Sequence, residues 1–111
     1  MDLTHFKEDD ITVIKIEGKL DAATAPVADK TVKEILEADC NRVLFDFSKL
    51  DYLSSGGLRV VLGAAKELKR RQGKLALCSL SSYVREIFDV SGFSTMIPIA
   101  DTFESGIEQL K

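Results

Sequence analysis

Hydrophobic and polar residues follow two rhythms along this chain. Short apolar runs of strand length are separated by segments whose apolar residues recur every three or four positions. Leu3 to Lys7 has the length of a short edge strand. Glu8-Asp9-Asp10 is a polar turn, and Ile11-Thr12-Val13-Ile14-Lys15-Ile16-Glu17 is β-branched and alternates toward its end, which predicts a second strand. So short a turn predicts an antiparallel hairpin, with Gly18 ending the second strand. Thr24 is then the expected N-cap of a helix, and Pro26 sits just inside it, where a missing N–H costs nothing. Ala28, Val32, Ile35 and Leu36 mark its buried face, and it should fade near Ala38-Asp39.

Arg42 to Phe47 is apolar at its centre without alternation, as in a parallel strand covered on both faces. Ser48 to Leu53 reads as a connecting loop. Ser54-Ser55-Gly56-Gly57 introduces a long second helix with an apolar stripe of Leu58, Val61, Leu62, Ala65 and Leu68. Lys66, Lys69, Arg70 and Arg71 crowd its last turns, and Gly73 follows as a left-handed stop, which matches the helix dipole. Lys74 to Cys78 is a further strand. Ser81 or Ser82 caps a third helix with Val84, Ile87 and Phe88 facing inward, closed by Gly92. Met96 to Ile99 is a last short strand, which Pro98 confines to a sheet edge. Asp101-Thr102-Phe103-Glu104 resembles a capping box, opening a helix with Phe103, Ile107 and Leu110 on its apolar face.

The predicted order is β-β-α-β-α-β-α-β-α. That is an α/β fold with a mixed, mostly parallel sheet of about five strands and about four helices, in one domain spanning residues 1–111. The first strand should lie antiparallel at an edge. The working surface of such a sheet is formed by loops beyond the carboxyl ends of its strands, here Gly18 to Ala25, Ser48 to Gly57 and Ser79 to Ser82.

Composition narrows the function. The 111 residues are 45% hydrophobic and 30% charged, which excludes disorder. A net charge of −3 lacks the basic signature of a nucleic-acid binder. The run Lys66 to Lys74 is interrupted by Glu67 and reads as a solvated helix end. No apolar run approaches the roughly 20 residues that span a bilayer, and the N-terminus lacks a secretory pattern, so a cytoplasmic location without membrane insertion is expected. Cys40 and Cys78 are far apart and His5 is the sole histidine, which disfavours a zinc site, a disulfide scaffold and a Ser-His-Asp triad. Glycine-rich phosphate-binding signatures and Gly-x-Ser-x-Gly are absent. No catalytic residue, metal or cofactor is expected, and with no apolar face left unassigned the free chain is expected to be a monomer.

The informative segment is Asp51-Tyr52-Leu53-Ser54-Ser55-Gly56-Gly57-Leu58-Arg59-Val60. A hydroxyl at a helix start lies beside unpaired backbone N–H groups and the positive end of the dipole, where a phosphate would be stabilised. The glycines would let another chain approach closely. The same serines could equally be plain N-caps and the glycines a tight turn. Asp21, in the neighbouring predicted loop, could serve a partner or simply cap the first helix.

At these residues the chain resembles a STAS domain of the anti-sigma factor antagonist type. The resemblance rests on Gly18 to Pro26, on Val43 to Ser48 continuing through Tyr52 to Leu62, and on Leu75 to Cys78 with Val84 to Phe88 and Ser91-Gly92-Phe93. It implies a regulator rather than an enzyme. Proteins of this type bind an anti-sigma factor that is also a serine kinase, lose that complex when the kinase phosphorylates them, and are restored by a 2C-type serine phosphatase. The resemblance puts the phosphoacceptor at Ser55, with Ser54 as an alternative. It puts the partner surface at Asp21, Thr24, Ser54, Gly56, Gly57 and Leu58. Where the family often has Asp-Ser-Ser-Gly-Leu, this chain has Ser54-Ser55-Gly56-Gly57-Leu58, so a carboxylate is missing beside the acceptor. The alternative implied is a STAS subunit of a transport or signalling assembly that is never phosphorylated.

Overall fold

A computed structural model describes residues 1–38 and 40–111. Asp39, where the first helix was expected to fade, lies outside the described residues. The strands are β1 (Asp2–Glu8), β2 (Ile11–Leu20), β3 (Arg42–Asp46), β4 (Leu50–Leu53), β5 (Lys74–Cys78) and β6 (Ile99–Ala100). The helices are α1 (Ala25–Glu37), α2 (Ser55–Arg70), α3 (Ser82–Ser91) and α4 (Phe103–Leu110), with a 3₁₀ turn at Phe93–Thr95. The sheet runs β1-β2-β3-β5-β6, with β4 alongside the end of β2. β1 is the antiparallel edge strand expected, and the other pairings are parallel.

The apolar centre of β3 explains itself through the pleat. Val43 and Phe45 enter the core beneath α1, α2 and α3, while Leu44 enters a second cluster beneath α4. A strand sandwiched this way has no polar face to alternate with. Phe45 and Phe47 are fully buried with ring centroids 5.7 Å apart. α1 buries the residues expected of it, with Ala25 in addition.

Three expectations need correction near the functional end of the sheet. Gly18 does not end β2; it takes φ +87° at a register shift, and the strand continues to Leu20. That extension creates β4, because Gly18, Lys19 and Leu20 pair with Leu50, Tyr52 and Leu53. The segment read as a loop has Leu50 and Leu53 buried and Asp51 and Tyr52 exposed, so it lacks the two-residue alternation that marks a strand. The α2 stripe is also shifted: Gly57, Val60, Val61, Ala64 and Leu68 are buried, while Leu58, Leu62 and Ala65 are only half-buried. An apolar groove therefore stays open beside α2, against the expectation that every apolar face finds cover.

Helix ends differ from expectation in detail. Gln72, not Gly73, takes the left-handed conformation after α2, at φ 64°, and the Gly73 N–H donates to the Leu68 carbonyl at 2.7 Å. Gly73 is needed for space, since a Cβ there would lie 2.5 Å from the Asn41 carbonyl oxygen. Ser81 caps α3 and Gly92 closes it at φ 84°. The capping box of α4 pairs Thr102 with Ser105 rather than Asp101 with Glu104. Cys78 is buried, and burial pushes its thiol up to about 11, as suits an inert core residue.

Two glycines of α2 give opposite predictions. A Cβ at position 57 would sit 2.5 Å from the Leu20 oxygen, whereas one at position 63 meets nothing within 4 Å. Gly57→Ala should cost about 1–3 kcal/mol through overpacking. Gly63→Ala should stabilise by about 0.5–1 kcal/mol through helix propensity. Thermal unfolding checks both signs, and equal effects would contradict the packing described.

Candidate functional site

β2 and β4 end side by side, and α2 starts where they end. The Ser54 N–H donates to the Leu20 carbonyl at 3.0 Å, which fixes the entry of the helix. Ser54 is extended and its Oγ accepts the Gly57 N–H at 3.2 Å, so Ser54 is the N-cap. The first intrahelical bond follows, from the Leu58 N–H to the Ser54 carbonyl at 2.8 Å. Ser55 is the first helical residue and is exposed, whereas Ser54 is half-buried. The N–H groups of Ser55 and Gly56 belong to the first turn, for which an α-helix offers no carbonyl partner. Two adjacent serines thus occupy different environments. One hydroxyl is engaged in holding the helix start, and the other stands in solvent over its positive end.

Gly57 was expected on a partner surface, but it is buried over Leu20 and Leu53. The backbone it admits is that of its own chain. Gly56 is half-buried, and a Cβ there would make ordinary contacts with Ala25 and Ser54 at 3.6 Å and with the Ala22 Cα at 3.9 Å. Those contacts bring the turn before α1 against the first turn of α2. Leu58 is half-buried and leans on the core.

Within that turn Thr24 holds the N-cap position but its side chain does not cap, and Asp21 takes the local capping role that was one of its two expected readings. Thr24 makes no side-chain cap bond to α1. The Asp21 carboxylate instead accepts the N–H groups of Ala23 and Thr24, each at 3.0 Å. The Thr24 hydroxyl accepts the Asp21 N–H at 2.9 Å and can donate to the Lys19 carbonyl at 3.0 Å or to Asp21 Oδ1 at 3.1 Å. The Thr24 N–H, ahead of the other bonds, holds the Asp21 carboxyl below its ordinary range. Asp21 is therefore a local cap, and it presents the exposed residues Ala22 and Ala23 beside the helix start.

The third expected loop joins through an aromatic pair that periodicity did not single out. Tyr52 at the end of β4 stacks on Tyr83 in the first turn of α3, centroids 6.1 Å apart and planes 18° apart. Their exposures are 40% and 48%, large for aromatic residues. A tyrosine two residues before the capping serine and another just off the Val84–Phe88 stripe were the available signals. Tyr52 precedes Ser54 by two residues, so the pair adds exposed apolar surface near the helix start. Among the described residues no group of three His, Cys, Asp or Glu could hold a metal ion. No helix among them is long and apolar enough to cross a membrane.

Comparison with known proteins bears on the family and the fold. The STAS domain family matches residues 5–106. The chain is 38% identical over 111 residues to BtrV of Bordetella bronchiseptica, covering 100% of this chain and 96% of that one. It is 35% identical over 103 residues to the anti-sigma-B factor antagonist of Bacillus subtilis, covering 91% of each. The solved structure of the Bacillus cell fate determinant SpoIIAA in its phosphorylated form superposes with a TM-score of 0.77, covering 99% of this chain and 100% of that one at 22% identity, and so shares the fold.

The capping role of Asp21 makes a pH prediction. A carboxyl whose folded pKa is depressed contributes stability above its unfolded pKa, about 3.9, and loses it as pH falls through the lower folded value. Asp21→Ala should lower the melting temperature at pH 7, and the gap to the parent chain should close as pH falls below about 3.9. Melting curves from pH 7 to 2 check this; a gap independent of pH would contradict it.

Proposed function

This chain belongs to the STAS domain family, and from that membership and the exposed hydroxyl at the start of α2 we propose that it is an anti-sigma factor antagonist switched by phosphorylation of Ser55. The observation that carries the proposal is the division of labour between two serines. Ser54 Oγ accepts the Gly57 N–H, while Ser55 is exposed. A kinase can reach Ser55 without disturbing the cap that holds the helix.

Phosphorylation would replace a neutral hydroxyl by a group carrying about −1.5 to −2 charges. The fold can accept that charge in place. First-turn N–H groups lie beside it, and Arg59, exposed, stands one turn further along the same face. A docked partner could not accept it so easily. Beside the start of α2 lies the turn before α1, whose Ala22 Cα is 3.9 Å from a Cβ built at position 56; Ala22 and Ala23 are exposed and apolar, with the Asp21 carboxylate in the same turn. A dianion enclosed by a docked partner would lose most of its water, and Arg59 alone would offset only part of that cost. Inverting a complex from 99:1 to 1:99 needs about 5.5 kcal/mol of differential affinity, a plausible size for burying one unpaired dianion.

In this reading the chain is a cytoplasmic regulator without catalytic residues, acting as one domain over residues 1–111. Its partners are an anti-sigma factor with serine kinase activity and a 2C-type phosphatase. Support comes from the relative in Bacillus subtilis, an anti-sigma-B factor antagonist, and from SpoIIAA, known in a phosphorylated form. The partner surface comprises Asp21 and Thr24 as the scaffold of their turn, Ser54 to Gly56, and Leu58 at its border.

The test is incubation with the cognate anti-sigma factor kinase and Mg-ATP, followed by site mapping. Phosphate should appear on Ser55 and vanish in Ser55→Ala. Ser54→Ala should still be phosphorylated while losing about 1 kcal/mol of stability with its cap. Phosphate on Ser54 alone would overturn the assignment. A chain left unmodified by that kinase would point to the unphosphorylated assembly subunit.

A further inference from the structure

A second feature lies away from Ser55. A cavity of about 890 Å³ opens beside α2 toward its C-terminal end. Leu62 and Ala65 of α2 form one wall, Phe93, Met96 and Ile97 another, and Leu110 at the end of α4 closes it below. The back is the start of β5, at Leu75 and Ala76. Met96 is 71% exposed here, an unbranched and adaptable side chain.

That back wall is an open sheet edge. On β5 the Leu77 N–H donates to the Pro98 carbonyl at 2.9 Å, and the Ser79 N–H donates to Ala100 at 3.2 Å. The Lys74 N–H turns the opposite way, to Asn41 at 2.8 Å. Odd-numbered residues thus face β6, and alternation gives Leu75 the same orientation. Yet β6 begins only at Ile99, paired with Leu77, and upstream the Ile97 N–H turns back to the Phe93 carbonyl. Among the described residues no backbone group pairs with Leu75 on that side.

The rim is cationic. Arg59, Lys66, Lys69 and Lys74 line the cavity with no Asp or Glu, in a chain of net charge −3. Among the described residues none of these four forms an ion pair. From Arg59 to Lys69 the helix rises about 15 Å, the length of four or five extended residues.

We propose that this slot binds an extended segment of a partner protein in which acidic and apolar residues alternate. The segment adds to the sheet beside Leu75, in the place β6 leaves vacant. Its backbone pairs with the Leu75 N–H and carbonyl, its apolar side chains fill the cavity, and its carboxylates meet the four cations. A single-chain lipid would use the apolar walls and the charge but leave the backbone edge unpaired. The proposal does not rest on phosphorylation of Ser55, although Arg59 borders both sites.

The experiment titrates the full chain, labelled with ¹⁵N, with two heptapeptide pools. In one pool Glu alternates with random aliphatic residues, and in the other Lys takes the place of Glu. Dodecanoate is the third titrant. The acidic pool should shift the Leu75 amide and those of Ala65 and Ile97, and a Lys66→Glu, Lys69→Glu double variant should weaken that binding at least tenfold. Equal response to both pools, response to neither, or acidic-pool shifts confined to β1 would overturn the proposal. So would dodecanoate moving the slot amides while the acidic pool leaves them still.

Discussion

The Leu20 carbonyl oxygen accepts the Ser54 N–H at 3.0 Å, and the same oxygen would lie 2.5 Å from any Cβ at position 57. One atom therefore both anchors the start of α2 and requires glycine three residues into the sequence that follows. The contact exists because β2 runs on past the kink at Gly18 and carries Leu20 under the helix entrance. Helix start, strand end and the short β4 hold one another, and the position of Ser55 follows from that arrangement.

The consequence is a rigid base under an exposed hydroxyl. Ser54 Oγ and the Asp21–Thr24 turn satisfy backbone donors around the helix entrance, while the Ser55 and Gly56 N–H groups of the first turn are left without a carbonyl partner in the helix. The exposed surface nearby is small or aromatic: Ala22 and Ala23 in the turn before α1, and Tyr52, two residues before Ser54, stacked on Tyr83. Such a surface suits docking that depends on excluding water, and a new charge at its centre acts on docking more than on folding.

Most of the fold is legible in the sequence, because its elements are declared by their own residues. The β-branched run of β2, the unbroken apolar centre of β3 and the Val32–Ile35–Leu36 face of α1 need no neighbour to be recognised. β4 escapes the pattern, since its four residues become a strand only through the extension of β2 beyond Gly18. Of the α2 stripe Val61 and Leu68 read correctly, while Leu58, Leu62 and Ala65 each stand one position from a buried residue and are as apolar as the residues that are buried. Leu62 and Ala65 border the cavity left open between α2 and residues 93–98, whose turn no local pattern announces. At the site, the importance of the Ser-Ser-Gly-Gly run was legible. Which serine caps and which is free depends on one residue of helix phase and on the hydrogen bond that the Ser54 N–H donates to the carbonyl of a distant strand end. The Tyr52–Tyr83 pair joins positions 31 residues apart and was likewise beyond local reading.

The central claim is that Ser55 controls docking without altering the fold. Calorimetric titration of the chain against its anti-sigma factor, before and after stoichiometric phosphorylation, with melting curves of both forms, tests it directly. Loss of at least a hundredfold in affinity at an unchanged or slightly raised melting temperature is the predicted result. Undiminished affinity, or affinity lost together with the cooperative melting transition, would contradict it.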